Sequence, residues 1–219
     1  PSKRAITDGY QLLAELGAVD DDNELTPIGQ ELARLPLDPR VGRMILEARG
    51  RNALDEVLVI ASAMSVQDVR DRPMDAQAQA DQQHAKFDDD KSEFTGYLKL
   101  WKWIHDARGG PSKSIGVRSQ LNSPSQRSQN NRDLTPIQEA PQHKLSNRQY
   151  EQLLRQNFIN IRRVREWRDT HTQLLTVVAE HKWRINTQPA SYEQLHLSML
   201  AGLLGNVGYK LEDEEAYLG

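Results

Sequence analysis

Apolar side chains recur every three or four residues along much of this chain, a spacing that places them on one face of a helix. The first such run, from Ile6 to Leu16, ends at Gly17, and glycine often closes a helix because it adopts a left-handed conformation freely. Thr26-Pro27 and Asp38-Pro39 each combine an N-cap residue with a proline at the first helical position, which predicts two further helix starts. Three short helices in this order, with no clear β-hairpin, predict a degenerate winged-helix segment over residues 1–51.

Further helical patterns fill the middle and the end of the chain. The run from Leu54 to Met64 is apolar nearly all round, which is typical of a helix buried on every side. A longer amphipathic pattern from about Asn147 to Lys182 predicts one continuous helix, with Arg155 and Arg162 on its polar face. Other helices are expected over residues 75–87, 92–107 and 192–204. We therefore predict a mainly α fold, in which a helical-bundle domain over residues 52–206 follows the winged-helix segment.

Residues 108–147 break these patterns. They are rich in Pro, Ser, Gln and Asn, and they contain no aromatic residue. Such a composition buries too little apolar surface to offset the conformational entropy of the chain, so we predict a disordered insertion. Near the end of the chain, Val207 to Leu211 favours a strand, and an acidic run follows it.

Charge and composition exclude several classes of protein. The chain has no cysteine, which rules out disulfides and thiolate metal sites and suits the cytoplasm. No apolar run approaches the roughly 20 residues of a membrane-spanning helix. The net charge is −3, which argues against a protein that coats DNA by itself. It permits a module that touches nucleic acid while other domains supply most of the affinity.

The motifs of nucleotide hydrolysis are missing. The sequence contains no G-x-x-x-x-G-K-[ST] phosphate loop and no Asp-Glu-Ala-His motif, so we predict no enzymatic activity for this chain alone. The acidic runs 20–22 and 88–90 lack the central Gly and closing Glu of a calcium loop, which favours solvated turns. Asp81 and His84 share a helix face but lack a third ligand nearby, which favours a surface pair over a metal site.

A basic run at residues 162–168, Arg-Arg-Val-Arg-Glu-Trp-Arg, has two interpretations. It is either a solvated helix face with the i, i+4 pairs Arg162–Glu166 and Arg165–Asp169, or a surface that contacts phosphates along a nucleic acid. Composition alone favours the first. Trp101 and Trp103 are candidates either for stacking on nucleic-acid bases or for packing in the core. Trp101 is in phase with an apolar stripe and is expected in the core, whereas Trp103 lies off that stripe.

A series of short strings then runs in order along the chain. They are Asp8-Gly9-Tyr10, Leu25-Thr26-Pro27-Ile28-Gly29, Leu35-Pro36-Leu37-Asp38-Pro39-Arg40, Ile60-Ala61-Ser62-Ala63-Met64-Ser65, Arg72-Pro73, Ala80-Asp81, Asn157-Phe158-Ile159-Asn160, Arg165-Glu166-Trp167, Gln173-Leu174, Ala201-Gly202-Leu203-Leu204 and Tyr217-Leu218-Gly219. Their order and spacing resemble the region that follows the motor domains in DEAH-box RNA helicases of the bacterial HrpA type. The resemblance covers nearly the whole chain except the insertion.

In that family the domain order is two RecA-like motor domains, a winged helix, a helical ratchet domain and an oligonucleotide-binding fold. The resemblance implies an accessory region that guides single-stranded RNA past the motor domains, which are its expected partners and which bind ATP and Mg²⁺. This chain is expected to carry no cofactor itself. Residues 207–219 are expected to begin the last fold, so the chain is interpreted as a fragment of a cytoplasmic helicase.

The resemblance also suggests which side chains contact RNA. Arg162 is the first such residue, Arg163 and Arg165 are weaker neighbours, and Arg155 lies on the same polar face. His171 stands where many relatives carry an arginine before the Gln-Leu pair, which puts an RNA contact at that position in doubt.

Two other classes of function are alternatives. A stand-alone helical adaptor that binds a protein partner is the alternative to the helicase interpretation. A winged-helix regulator of DNA is disfavoured, because the helix expected over residues 26–35 offers only Arg34 to a DNA groove.

Overall fold

The computed structural model describes residues 2–109 and 145–206 and the backbone of residues 209–210 and 217–218. The predicted disordered insertion at 108–147 therefore lies almost wholly outside the described residues, as does most of the segment 207–219. The helices, in chain order, are α1 Lys3–Glu15, α2 Pro27–Leu32, α3 Pro39–Gly50, α4 Leu54–Met64, α5 Gln77–His84, α6 Glu93–Ala107, α7 Asn147–Gln156, α8 Ile161–Glu180 and α9 Tyr192–Leu200. The prediction of a mainly α fold is confirmed.

Short elements complete the described parts. Two 3₁₀ turns cover Ala85–Phe87 and Leu204–Asn206. Strands β1 (Tyr209–Lys210) and β2 (Tyr217–Leu218) pair in antiparallel fashion, with Tyr209 opposite Leu218. The strand expected at 207–211 is thus present at the two residues of that run whose backbone is described.

The chain divides into two compact units. One contains Pro1–Ala61 and Thr176–Gly219, and the other contains Ser62–Leu175. The limits of the units fall within α4 and α8, so neither helix lies wholly in one unit.

In the first unit, the predicted helix starts are present as the sequence indicated. The Thr26 hydroxyl accepts a hydrogen bond from the Gly29 amide at 3.0 Å, and the Asp38 carboxylate accepts one from the Arg40 amide at 2.9 Å. Gly17, two residues after the end of α1, has a φ of 68°, the left-handed conformation expected of a closing glycine. One cluster of buried side chains at these helices consists of Ala18, Leu32, Leu35, Leu46 and Val177.

Helix α4 is buried all along its length up to Ala63, as its apolar pattern predicted. The helix nevertheless carries a buried acid, Glu56, and this carboxylate has hydrogen-bond partners in the same unit. Its carboxylate accepts hydrogen bonds from Asn186 Nδ2 and from the Ala190 amide, each at 2.9 Å. These hydrogen bonds offset the cost of removing the carboxylate from water. A buried carboxylate without partners would destabilise the fold by about several kcal/mol.

In the second unit, the prediction of one helix from Asn147 to Lys182 is wrong. Helix α7 ends at Gln156 and α8 begins at Ile161, and the four residues between them, 157–160, form a turn that we call the elbow. Phe158 has a φ of 53° there, which no α-helix accommodates. The apolar periodicity continues through the elbow, and for that reason the pattern by itself did not reveal the break.

Candidate nucleic-acid interface

The elbow is held in place by a segment far from it in sequence. The Asp71 amide donates to the Phe158 carbonyl and the Asn160 amide donates to the Val69 carbonyl, both at 2.8 Å. Arg70 and Ile159 form the corresponding antiparallel bridge. These bonds satisfy the backbone groups that the interruption of the helix leaves without partners.

Phe158 occupies an uncommon conformation at the centre of the elbow. A left-handed backbone in a non-glycine residue costs on the order of 1–3 kcal/mol and persists only where its surroundings impose it. Here the Phe158 carbonyl lies 3.2 Å from His84 Nε2 and also accepts the Asp71 amide. Asn157 caps the end of α7, and Asn160 Oδ1 accepts the Arg162 and Arg163 amides at the start of α8.

Arg162 is more exposed than Arg163 and Arg165. Its side chain is 88% exposed in the first turn of α8. Nε lies 3.3 Å from the Glu166 carboxylate, so the predicted i, i+4 pair is present. An ion pair this exposed contributes only roughly 0.3–0.5 kcal/mol to stability. Because the pair is weak and the side chain is exposed, the guanidinium is accessible to another anion.

Arg163 is placed differently. Its side chain is only 23% exposed, and Nη1 donates to Asp71 Oδ1 at 2.8 Å and to the Asp68 carbonyl at 2.9 Å. Asp71 Oδ2 also accepts a hydrogen bond from Asn160 Nδ2 at 3.1 Å. Arg163 therefore ties α8 to the segment that supports the elbow.

Arg165 and Arg155 lie on α8 and α7 respectively. The expected pairing of Arg165 with Asp169 is wrong, because Arg165 Nη2 instead lies 3.0 Å from the Glu151 carboxylate on α7. The two helices come together at the elbow, and this brings Glu151 within reach. Arg155 is exposed near the end of α7 and has no ion pair within the described ranges.

A surface cleft of about 370 Å³ lies at the elbow. Arg155 and Phe158 both line it, together with two carboxylates that already have arginine partners. Its lining residues are Asp71, Pro73, Glu151, Arg155, Phe158, Ile159, Asn160 and Ile161. Neither Phe158 nor Asp71 was predicted as a site residue, although a cap-forming asparagine on each side of Phe158 was a visible signal of a helix break.

Helices α6 and α8 pack through a cluster of aromatic rings and imidazoles. Trp101 is 4% exposed, which confirms its predicted place in the core. Its ring centroid lies 4.8 Å from that of Trp167, 4.3 Å from that of His105 and 4.7 Å from that of His171. Trp167 Nε1 donates to Ser62 Oγ at 3.0 Å.

Burial in this cluster alters both imidazoles. It lowers the pKa of His171 to about 4, and neighbouring His105 adds to that effect. Burial also lowers the pKa of His105. His171 Nε2 is buried and has no hydrogen-bond partner among the residues that the structure describes. His171 is therefore a neutral member of the packed core at neutral pH, so it offers no cation to a phosphate.

Trp103, the second tryptophan considered for base stacking, is half-buried. Its ring meets that of Phe87 edge-on at 5.4 Å, and Lys86 Nζ lies 4.6 Å from its centroid. Lys86 and Phe87 thus already contact this ring.

The acidic positions considered for metals form local contacts. The Asp81 carboxylate pairs with Arg72 through two 2.7 Å bonds, and Asp20 Oδ1 accepts the Asp22 and Glu24 amides within its turn. Across residues 2–109 and 145–206 there is no group of three or more His, Cys, Asp or Glu side chains able to hold a metal ion.

No helix in the described parts has the length and apolarity needed to cross a membrane.

Two family models match the first part of the chain. The family model "Helicase associated domain (HA2), winged-helix" matches residues 10–37, and "Helicase associated domain (HA2), ratchet-like" matches residues 38–98. Residues 10–98 are therefore similar to the winged-helix and ratchet-like parts of a helicase-associated domain.

The similar full-length proteins are RNA helicases. The whole chain is 36% identical to the ATP-dependent RNA helicase HrpA of Escherichia coli (strain K12) and 33% identical to the HrpA homolog of Haemophilus influenzae. The DExH-box ATP-dependent RNA helicase DExH1 of Arabidopsis thaliana is 33% identical over 52% of the chain and 12% of that protein. The chain spans 15% of the length of each HrpA protein. The resemblance to the HrpA type of DEAH-box RNA helicase is confirmed, and these matches do not favour a stand-alone adaptor.

Proposed function

We propose that this chain forms part of the path of single-stranded RNA in an ATP-dependent helicase. In this proposal the RecA-like motor domains bind ATP and Mg²⁺ and move the strand, and the helicase-associated region guides it. The similarity to RNA helicases along the whole chain supports this role. A cytoplasmic location and the domain limits expected from the sequence, 1–51 and 52–206, belong to the same proposal.

The observation that carries the proposal is the exposure of two arginines on either side of the elbow. Arg155 lies near the end of α7, and Arg162 lies in the first turn of α8. Exposed guanidiniums bind phosphate oxygens through paired N–H donors, without reading the base sequence. We propose Arg162 and Arg155 as the main phosphate contacts. Arg165 contributes when it exchanges its Glu151 partner for a phosphate, and Arg163 contributes mainly by holding the start of α8.

Few contacts and a net charge of −3 imply weak binding. The affinity of the isolated chain should lie near non-specific values, roughly 10⁻⁴–10⁻⁶ M at physiological salt. The dependence of log affinity on log salt concentration should correspond to about one to three released ions.

The test is a fluorescence-anisotropy titration of a labelled single-stranded RNA with the chain and with Arg162→Ala. We expect the substitution to weaken binding about ten-fold at low salt, because it removes one charge-assisted contact. The matched control is Arg4→Ala, since Arg4 is also highly exposed, at 92%, in an i, i+4 pair with Asp8 but belongs to the first unit. Equal losses in both variants would mean that RNA responds only to overall charge, and the proposed interface would then be wrong.

A further inference from the structure

We propose that the cleft at the elbow receives one unpaired nucleotide of the RNA, with its base stacked on the Phe158 ring and its phosphate held by Arg155. This inference rests on the proposed function, and it adds a base-binding site to a surface argued so far only from phosphate contacts. Both residues line the same cleft.

The size and lining of the cleft suit a nucleotide. Its volume of about 370 Å³ lies within the roughly 300–1,000 Å³ of small-ligand sites. Apolar side chains, among them Pro73, Phe158 and Ile161, form part of its wall, and charged groups form the rest. A nucleotide has the same division, with an apolar base face at one end and an anionic phosphate at the other.

The charges in the cleft favour an anion beside Arg155. Asp71 and Glu151 also line it, but each carboxylate has an arginine partner, Arg163 at 2.8 Å and Arg165 at 3.0 Å. Arg155 has no carboxylate partner among the described residues, so the local balance is one uncompensated cation. A phosphate bound to Arg155 would neutralise this positive charge.

The backbone that carries the Phe158 ring is held in place before any ligand arrives. Its left-handed backbone, with a φ of 53°, is held by the Asp71 amide and by His84 at the carbonyl oxygen. A backbone that is already ordered lowers the ordering cost of presenting this ring to a base. Every base has a π-face, so this contact is compatible with binding that shows little sequence preference.

The experiment compares two RNA strands of equal length and charge, one ordinary and one with abasic residues throughout. The unmodified chain should bind the ordinary strand about ten-fold more tightly, which is the size of effect expected for one stacked base. Phe158→Leu keeps apolar bulk but removes the ring, so it should bind both strands equally, at the abasic level. Phe158→Tyr should keep the preference, which distinguishes loss of stacking from loss of folding.

Phe94→Leu is the matched control, because Phe94 is also half-buried in the same unit but does not line the cleft. It should retain the full preference for the ordinary strand. If Phe158→Leu also retains that preference, bases stack elsewhere and the inference is wrong. If the unmodified chain binds both strands equally and Arg162→Ala weakens both, the phosphate interface stands and the base site does not. If neither strand binds, both proposals fail.

Discussion

The Arg163 guanidinium donates to Asp71 Oδ1 at 2.8 Å, and this ion pair joins two residues that lie 92 positions apart in the sequence. Asp71 also accepts a hydrogen bond from Asn160 Nδ2 and donates its own amide to the Phe158 carbonyl. One residue thus holds the elbow through its backbone and the start of α8 through its side chain. The geometry of the proposed RNA interface depends on this contact.

A double-mutant cycle should measure the strength of that pair. Arg163→Ala and Asp71→Ala should each destabilise the fold, and the coupling free energy between them should be about 1 kcal/mol, since both side chains are partly exposed. Chemical denaturation of the four proteins gives the value. Strictly additive effects would show that the contact makes no net contribution.

The stability of the chain should fall as the pH falls below about 6.5, because His171 is a half-buried imidazole whose lowered pKa keeps it neutral in the folded chain. The unfolded chain takes up a proton near pH 6.5, whereas the folded chain resists it down to a pKa of about 4. The free energy of unfolding therefore falls progressively as the pH drops from about 6.5 to about 4, by on the order of 2 kcal/mol after allowance for partial exposure. The lowered pKa of His105 acts in the same direction.

Thermal unfolding between pH 7 and pH 4 tests this dependence. His171→Phe should flatten the pH profile, because it keeps a ring beside Trp101 and removes the titrating group. An unchanged slope in His171→Phe would contradict the assignment.

Two glycines should respond oppositely to alanine. A Cβ at Gly202 would lie 2.5 Å from the Arg40 carbonyl oxygen and 2.6 Å from Met44 Cγ, so Gly202→Ala should cost about 1–3 kcal/mol. A Cβ at Gly50, the last residue of α3, would meet nothing within 4 Å. Gly50→Ala should be neutral or stabilise by about 0.5–1 kcal/mol. Comparable losses in denaturation midpoint for the two variants would contradict this contrast.

The isolated chain should hydrolyse no ATP or GTP, with or without RNA, because its sequence lacks the phosphate loop and the acidic motif that hold the nucleotide and its metal. A phosphate-release assay on a highly purified sample measures this directly. Turnover that persists through repeated purification would contradict the prediction.

Local patterns in the sequence were enough for several features. The starts of α2 and α3 follow from Thr26-Pro27 and Asp38-Pro39, because caps act on amides two or three residues away. The burial of α4 follows from its apolar residues on every face, and that of Trp101 from its phase. The resemblance to a helicase family was recognisable from the order of short strings on both sides of residues 108–147, and the helicase-associated matches at residues 10–98 agree with it.

Only the tertiary structure decided the elbow and the contacts of its arginines. The apolar period runs unbroken through Phe158, so its left-handed turn depends on bonds to Asp71 and His84, which lie more than 70 positions earlier. Arg165 pairs with Glu151 across that turn instead of with Asp169 along the helix, and Arg163 pairs with Asp71. Sequence spacing determines which groups are neighbours on one helix. It carries no information on which distant carboxylate will be nearest once the chain has folded.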